Sequence, residues 1–199
     1  MSDPGPQLIL VLGGARSGKS SFAERLARRS ERGVAFIATA TASDEDMRDR
    51  IARHRAGRPH EWHTVEEPLD LAGAVGRAAE VADILLLDCM TLWLGNWLGA
   101  HGPRSFDEEP VLSSRYSEEA LTEVEGLLTA FASLDARKRL IVVSNEVGLG
   151  IVPAYASGVV YRDILGRVNQ RLASAASRVY LMIAGLAVDI KRLHEEASL

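Results

Sequence analysis

Short apolar runs alternate with amphipathic stretches along this chain, and that alternation predicts a parallel sheet flanked by helices. Leu8 to Leu12 is a leucine and β-branched run, suited to a strand buried on both faces. Residues 20–29 follow at helical spacing, with Phe22, Ala23, Leu26 and Ala27 on one side and Glu24 four residues before Arg28. Val34–Ala38 reads as a second strand. Ser43 is placed to cap a helix to about Arg55, with Asp46 at the capping-box position. Gly57-Arg-Pro59 ends it, residues 62–65 form a short extended piece, and Pro68 opens an alanine-rich helix to Ala82.

Three further strands are expected at 84–88, 140–143 and 179–183, with helices at 91–98, 117–134 and 158–177. The polar Gly/Pro stretch 99–110 reads as a surface loop. The result is an α/β fold, of P-loop NTPase type, whose sheet is mostly parallel. Residues 1–7 are expected as a loose leader, and 8–199 as one catalytic domain. Ligands of such sheets collect at the carboxyl ends of the strands. That edge carries residues 13–20, Thr39, Asp88 and Asn145-Glu146.

The first turn has a specific chemistry. Gly13 to Ser20, GGARSGKS, fits the GxxxxGK[ST] pattern between a strand and a helix. Gly13, Gly14, Ala15, Arg16, Ser17 and Gly18 would turn backbone N–H groups toward a phosphate. Lys19 would reach the β/γ oxygens, and the Ser20 hydroxyl would ligate Mg²⁺. Asp88, ending an apolar strand, is placed to hold the same Mg²⁺, or to cap the following helix.

Composition narrows the partners. The net charge of −4 over 199 residues supplies no basic excess for a general nucleic-acid binder. One cysteine, Cys89, excludes an intramolecular disulfide. The start MSDPGPQ is polar and acidic, unlike a secretory leader, and no apolar stretch is long enough for a membrane span. A cytoplasmic enzyme is the expectation.

The helix near 43–57 carries Arg48, Arg50, Arg53, His54 and Arg55, followed by Arg58. These suit an anionic ligand, or a solvated face with i,i+4 pairs Asp46–Arg50 and Asp49–Arg53. His54 shares a stripe with Met47 and Ile51 and is expected to face inward, as a packing residue or as a nucleophile toward phosphorus. Glu66 and Glu67 precede Pro68 and suit a helix cap, a ribose or a metal. Asp163-x-x-Gly166 imitates a GTPase switch but lies within a helical stretch, and no Asn-Lys-x-Asp motif accompanies it.

Taken together, GGARSGKS at 13–20, FIATA at 36–40, RIARHRAGRPHEWHTVEEP at 50–68, LLLDCMTLWLGN at 85–96, VSNEVGLGIVP at 143–153 and YRDILGRVNQRLA at 161–173 resemble one family. It is the bifunctional adenosylcobinamide kinase / adenosylcobinamide-phosphate guanylyltransferase family of cobalamin biosynthesis, and the likeness runs from Leu8 to about Lys191. It implies phosphorylation of adenosylcobinamide by ATP or GTP. It implies next a transfer of GMP from GTP, through a guanylylated histidine, to adenosylcobinamide phosphate. The resemblance assigns that histidine to His54, the phosphates to residues 13–20, and nearby nucleotide or metal contacts to Thr39, Arg58, Glu66 and Asp88. Where some members carry adjacent histidines, this chain has Arg53-His54. The family also implies a RecA-like fold and a homotrimer. A P-loop kinase acting on a small alcohol without guanylyl transfer is the competing reading, and a noncatalytic nucleotide-binding regulator a more distant one.

Overall fold

A computed structural model describes residues 5–30, 32–42, 45–103, 106 and 113–197. Their centre is a seven-stranded sheet. Six strands run parallel: β1 (Gln7–Gly13), β2 (Val34–Ala38), β3 (His63–Glu66), β4 (Ile84–Asp88), β5 (Arg139–Val143) and β6 (Arg178–Ile183). The seventh, β7 (Leu186–Asp189), pairs antiparallel with β6, and the spatial order is β3-β2-β4-β5-β1-β6-β7. In register, Val11 lies beside Val143 and Val143 beside Asp88, so β5 separates the strand of the phosphate loop from the strand ending in Asp88.

The helices are α1 (Lys19–Arg28), α2 (Glu45–Ala56), α3 (Leu71–Val81), α4 (Met90–His101), α5 (Ser113–Ala132), α6 (Ala156–Ala175) and α7 (Ile190–Ala197). Period-two alternation splits the core between the two sheet faces. Leu8, Leu10 and Leu12 join the side chains of α3, α4, α5 and α6, whereas Ile9 and Val11 join Ala23 and Ala27 of α1. Both faces are covered, which is why the central strands lack polar positions.

The structure moves several expected boundaries. The extended piece at 62–65 is an edge strand paired with β2 at 63–66. The helix expected from Pro68 starts at Leu71, because the Asp70 carboxylate caps it by accepting the Gly73 N–H at 2.8 Å. The Glu67 carboxylate accepts the Leu69 and Asp70 N–H groups at 3.0 Å and pairs with Arg77, fixing the approach to that cap. Helix α4 runs through Gly99 to His101, into the stretch expected as a loop, since Trp93, Leu94 and Trp97 anchor it in the core. Residues 104, 105 and 107–110 of that stretch lie outside the described residues, as do the leader residues 1–4 and the expected Ser43 cap. Gln7, assigned to the leader, already pairs as the first residue of β1.

Sequence reading missed β7 and α7. The turn between β6 and β7 is only Ala184-Gly185, with φ of 51° and 82°, and it carries a left-handed alanine where an Asn or Gly would have signalled a hairpin. Lys191 of α7 donates to the carbonyls of Ala173 (3.1 Å) and Ala176 at the end of α6, where a cation meets the negative end of the helix.

Candidate functional site

The phosphate loop is held from beneath by neighbouring strands. At Gly13, φ is 151°, and a Cβ would sit 2.6 Å from the Met182 carbonyl oxygen, so any side chain there collides with β6. The Gly185 N–H donates to the Ser17 carbonyl at 3.0 Å, and the Glu146 N–H to the Gly13 carbonyl at 3.1 Å. The loop therefore rests on the β6–β7 turn and on the segment after β5. Gly18 stands at the N-cap of α1 and, having no side chain, caps none of the first-turn N–H groups itself. The buried Lys19 ammonium donates to the Gly14 carbonyl at 2.6 Å, spanning its own loop.

This loop forms one wall of a cavity of about 800 Å³. Ala15 to Ser21 and Glu24 line it from α1 and the loop, Arg53 and His54 from α2, Asp88 and Thr91 from the end of β4 and the start of α4, and Asn145 from beyond β5. A smaller apolar recess of about 90 Å³ adjoins it. Phe36, Ala38 and Leu92 form that recess's apolar side and Arg58 and Glu66 its polar rim, while Ser20, His54 and Asp88 belong to both spaces.

Individual placements refine the expectations. His54 is exposed, not packed inward. Helix α2 lies over the rim of the cavity, so the stripe it shares with the half-buried Ile51 lines a ligand space instead of filling core. The Met47 side chain and the Asp46–Arg50 pair lie outside the described side chains. Arg53 donates to the Asp49 backbone carbonyl at 3.2 Å, not to its carboxylate. Arg28 turns away from Glu24 to donate to the Gly57 carbonyl at 3.2 Å and to stack over Trp62.

Asp88 does not cap α4, whose N-cap is Cys89. Its carboxylate therefore stays on the cavity wall. Thr39, by contrast, is wholly buried and lines neither space. Its hydroxyl donates to the Cys89 carbonyl at 2.8 Å and accepts the Cys89 N–H at 2.9 Å, while its own carbonyl accepts from Asn96 at 2.7 Å. The threonine thus braces the turn after Asp88. Arg58 stacks over Phe36, 3.2 Å from the ring centroid, and burial pulls its pKa down against the opposing charges of Asp88 and Glu24. Glu66 is exposed and 3.5 Å from Arg55.

Glu24 was not expected at the site, and Asn145 was expected only at the ligand edge of the sheet. Glu24, half-buried, stands one turn beyond Ser20 and so shares its helix face; that i,i+4 spacing was the available signal. Burial raises its pKa, Asp88 adds to the shift, and Arg58, Arg28 and His54 oppose it. Asn145 was visible only as part of a loop. Its N–H donates to Thr91 Oγ1 at 3.1 Å and its carbonyl accepts from Asn169 at 2.9 Å, so the backbone is clamped on both sides where the residue lines the cavity.

Among the described residues, no three His, Cys, Asp or Glu side chains cluster as a metal cage. Ser20 and Asp88 on one wall suit a cation that takes one carboxylate, one hydroxyl and substrate phosphates, which is the habit of Mg²⁺. No helix among the described residues is long and apolar enough to cross a membrane.

Comparison with known proteins shows the family and the fold. The family model described as cobinamide kinase / cobinamide phosphate guanyltransferase matches residues 9–190. The bifunctional adenosylcobalamin biosynthesis protein CobP of Pseudomonas aeruginosa is 46% identical over 182 residues, covering 92% of this chain and 96% of that protein. The bifunctional adenosylcobalamin biosynthesis protein CobU of Escherichia coli K12 is 40% identical over 189 residues, covering 92% and 99%. Among solved structures, a prototypical ATPase of a bacterial type III secretion system matches with TM-score 0.56 and 11% identity, over 94% of this chain and 57% of its own. That last likeness concerns the fold, a P-loop NTPase sheet.

Proposed function

The chain belongs to the cobinamide kinase / cobinamide phosphate guanyltransferase family, and from that premise we propose that it catalyses both reactions, with His54 as the covalent carrier of GMP. In the kinase step the aminopropanol hydroxyl of adenosylcobinamide attacks the γ-phosphorus of ATP or GTP, and the bond to the β-phosphate oxygen breaks. In the transferase step an imidazole nitrogen of His54 attacks the α-phosphorus of GTP and pyrophosphate leaves. The phosphate of adenosylcobinamide phosphate then takes the GMP, giving adenosylcobinamide-GDP and restoring the histidine.

The observation that carries this reading is that His54 lines the same cavity as Lys19, Ser20 and Asp88. A histidine exposed to the phosphate space is accessible to a phosphorus atom, which a buried packing histidine is not. Residues 13–18 present N–H groups to the phosphates, and Lys19 leaves the Gly14 carbonyl for a phosphate oxygen of higher charge. Arg53 offsets negative charge near the attacked phosphorus. Asn145 offers an amide N–H from the segment just beyond β5, the strand between β1 and β4. The recess with Phe36, Arg58 and Glu66 takes the base and ribose, and Thr39 acts by holding the turn that carries Asp88. Ser20 and Asp88 hold Mg²⁺, which supplies charge neutralisation of the triphosphate when bound. We further place the enzyme in the cytoplasm, as a homotrimer of single catalytic domains with no nucleic-acid partner.

Intact-protein mass spectrometry after incubation with GTP and Mg²⁺, kept mildly alkaline because phosphoramidates are acid-labile, tests this directly. A mass gain of one GMP in the parent protein, absent in His54→Ala, is the expected result. Absence of any adduct in protein that binds GTP would leave a kinase without guanylyl transfer.

A further inference from the structure

Behind the segment after β5 lies a second cavity, of about 520 Å³, that the phosphate chemistry does not use. Leu12, Glu146, Arg162, Arg167, Asn169 and Gln170 are among its walls. It sits on the α6 side of the sheet with Glu146 and Gly148 in its wall, while the preceding residue, Asn145, lines the nucleotide cavity. That segment is rigid: the Glu146 N–H donates to the Gly13 carbonyl at 3.1 Å, and its carboxylate accepts the Gly148 N–H at 2.9 Å. The space continues past Asp163 and Arg167 into a further recess of about 400 Å³.

Resting on the family reading above, we propose that this trough, with the apolar segment Leu149 to Tyr155 at its lip, binds the corrinoid acceptor of both reactions. Three observations select that occupant. The first is position, since the trough starts one residue from the phosphate loop, so an acceptor seated there reaches the nucleotide cavity with a short arm past Asn145.

The second is chemistry. The lining pairs acids with bases, Glu146 and Asp163 against Arg162 and Arg167, and adds the amides of Asn169 and Gln170. Such a wall has donors and acceptors without excess charge, which suits a ring carrying many neutral carboxamides and suits a polyanion poorly. Gln170 is exposed within it, and its amide makes no hydrogen bond among the described residues.

The third is the lip. Leu149 is 85% and Ile151 97% exposed, and Val152 and Tyr155 stand beside them. Four such side chains on seven successive residues are a patch that needs a cover. The flat apolar faces of a macrocycle provide one, while its peripheral amides face the trough. The segment 144–155 thereby serves both substrates: Asn145 on the nucleotide side, Gly148 and the lip on the acceptor side.

Calorimetric titration of cobinamide into the full-length protein, for the parent, Gln170→Ala and Ile151→Asp, tests the assignment, with GTP titrated in parallel. Both substitutions are at exposed positions, so folding is preserved and unchanged GTP affinity verifies it. At least a tenfold weaker cobinamide affinity in each variant, with GTP binding intact, is expected. Cobinamide affinity equal to the parent in both variants overturns the assignment. Loss of oligomeric assembly by Ile151→Asp, with cobinamide affinity kept, also overturns it and gives the lip to a second copy of the chain. No cobinamide binding by the parent protein would instead overturn the family reading on which the inference rests.

Discussion

Thr39 and Cys89 hold each other reciprocally just past the ends of neighbouring β2 and β4, the threonine hydroxyl donating to the Cys89 carbonyl at 2.8 Å and accepting the Cys89 N–H at 2.9 Å. Thr39 is wholly buried and Cys89 half-buried at the cavity wall, and the residue before Cys89 is Asp88. Replacing Thr39 by Val keeps the shape and strands two buried backbone groups. A loss of about 2–4 kcal/mol in denaturant-unfolding stability is expected, with Thr39→Ser recovering most of it. A neutral Thr39→Val would show that the clamp is dispensable.

Lys19 and His54 line one cavity, and under the proposed function they act on different bonds, so their removal should separate binding from covalent transfer. Lys19→Ala is expected to weaken GTP binding by roughly 10–100-fold, the worth of a charge-assisted hydrogen bond. His54→Ala is expected to stay within about tenfold of the parent in GTP binding while losing all guanylylation. Fluorescent-nucleotide titration reads the first, and adduct mass the second. Equal binding losses in the two variants would contradict the division of roles.

Glu24 introduces a pH dependence whose sign follows from its environment. Burial holds its pKa above the ordinary carboxylate value, with Asp88 reinforcing the shift. The folded state therefore takes up this proton more readily than the unfolded chain, and stability is lost as pH rises through the folded pKa. Without nucleotide or Mg²⁺, Glu24→Gln should melt at a higher temperature than the parent at neutral pH. That difference should vanish below about pH 4, where the unfolded carboxyl is also protonated. A Glu24→Gln variant less stable at neutral pH would mean that the arginines around it outweigh desolvation.

Cys89 should be chemically quiet in spite of lining the cavity. Burial, reinforced by the Asp88 charge, pushes its thiol up to about 11 from 9.0. Two units correspond to about a hundredfold less thiolate at any pH below the normal value, and the thiolate is the reactive form. Iodoacetamide alkylation of the native protein should be about a hundredfold slower than in denaturant. Comparable rates in the two states would refute the shielding.

Much of the site was readable because its signals are local. A strand, a glycine turn, Lys19-Ser20 and a helix lie within about twenty residues, and each constrains the backbone of the next. Asp88 was readable from the apolar run before it. His54 was legible as a residue type on a helix face, yet its surroundings were not: periodicity finds the face turned toward the protein without distinguishing core from cavity. Glu24 was attributed to Arg28, an equally good i,i+4 partner, because sequence spacing cannot decide between two neighbours on one helix.

What the sequence determined by itself was the alternation of buried strands with amphipathic helices, the phosphate loop, and the family to which its motifs belong. These depend on contacts between residues a few positions apart, or on strings long enough to be specific. The tertiary structure alone decided that β5 stands between the phosphate strand and Asp88, that Thr39 braces instead of lining, and that the Ala184-Gly185 turn supports Ser17 from 168 residues further along the chain. It also set a second cavity behind Glu146. Strand order and the backs of loops arise from packing of segments distant in sequence, and a register of apolar residues leaves many such packings equally allowed.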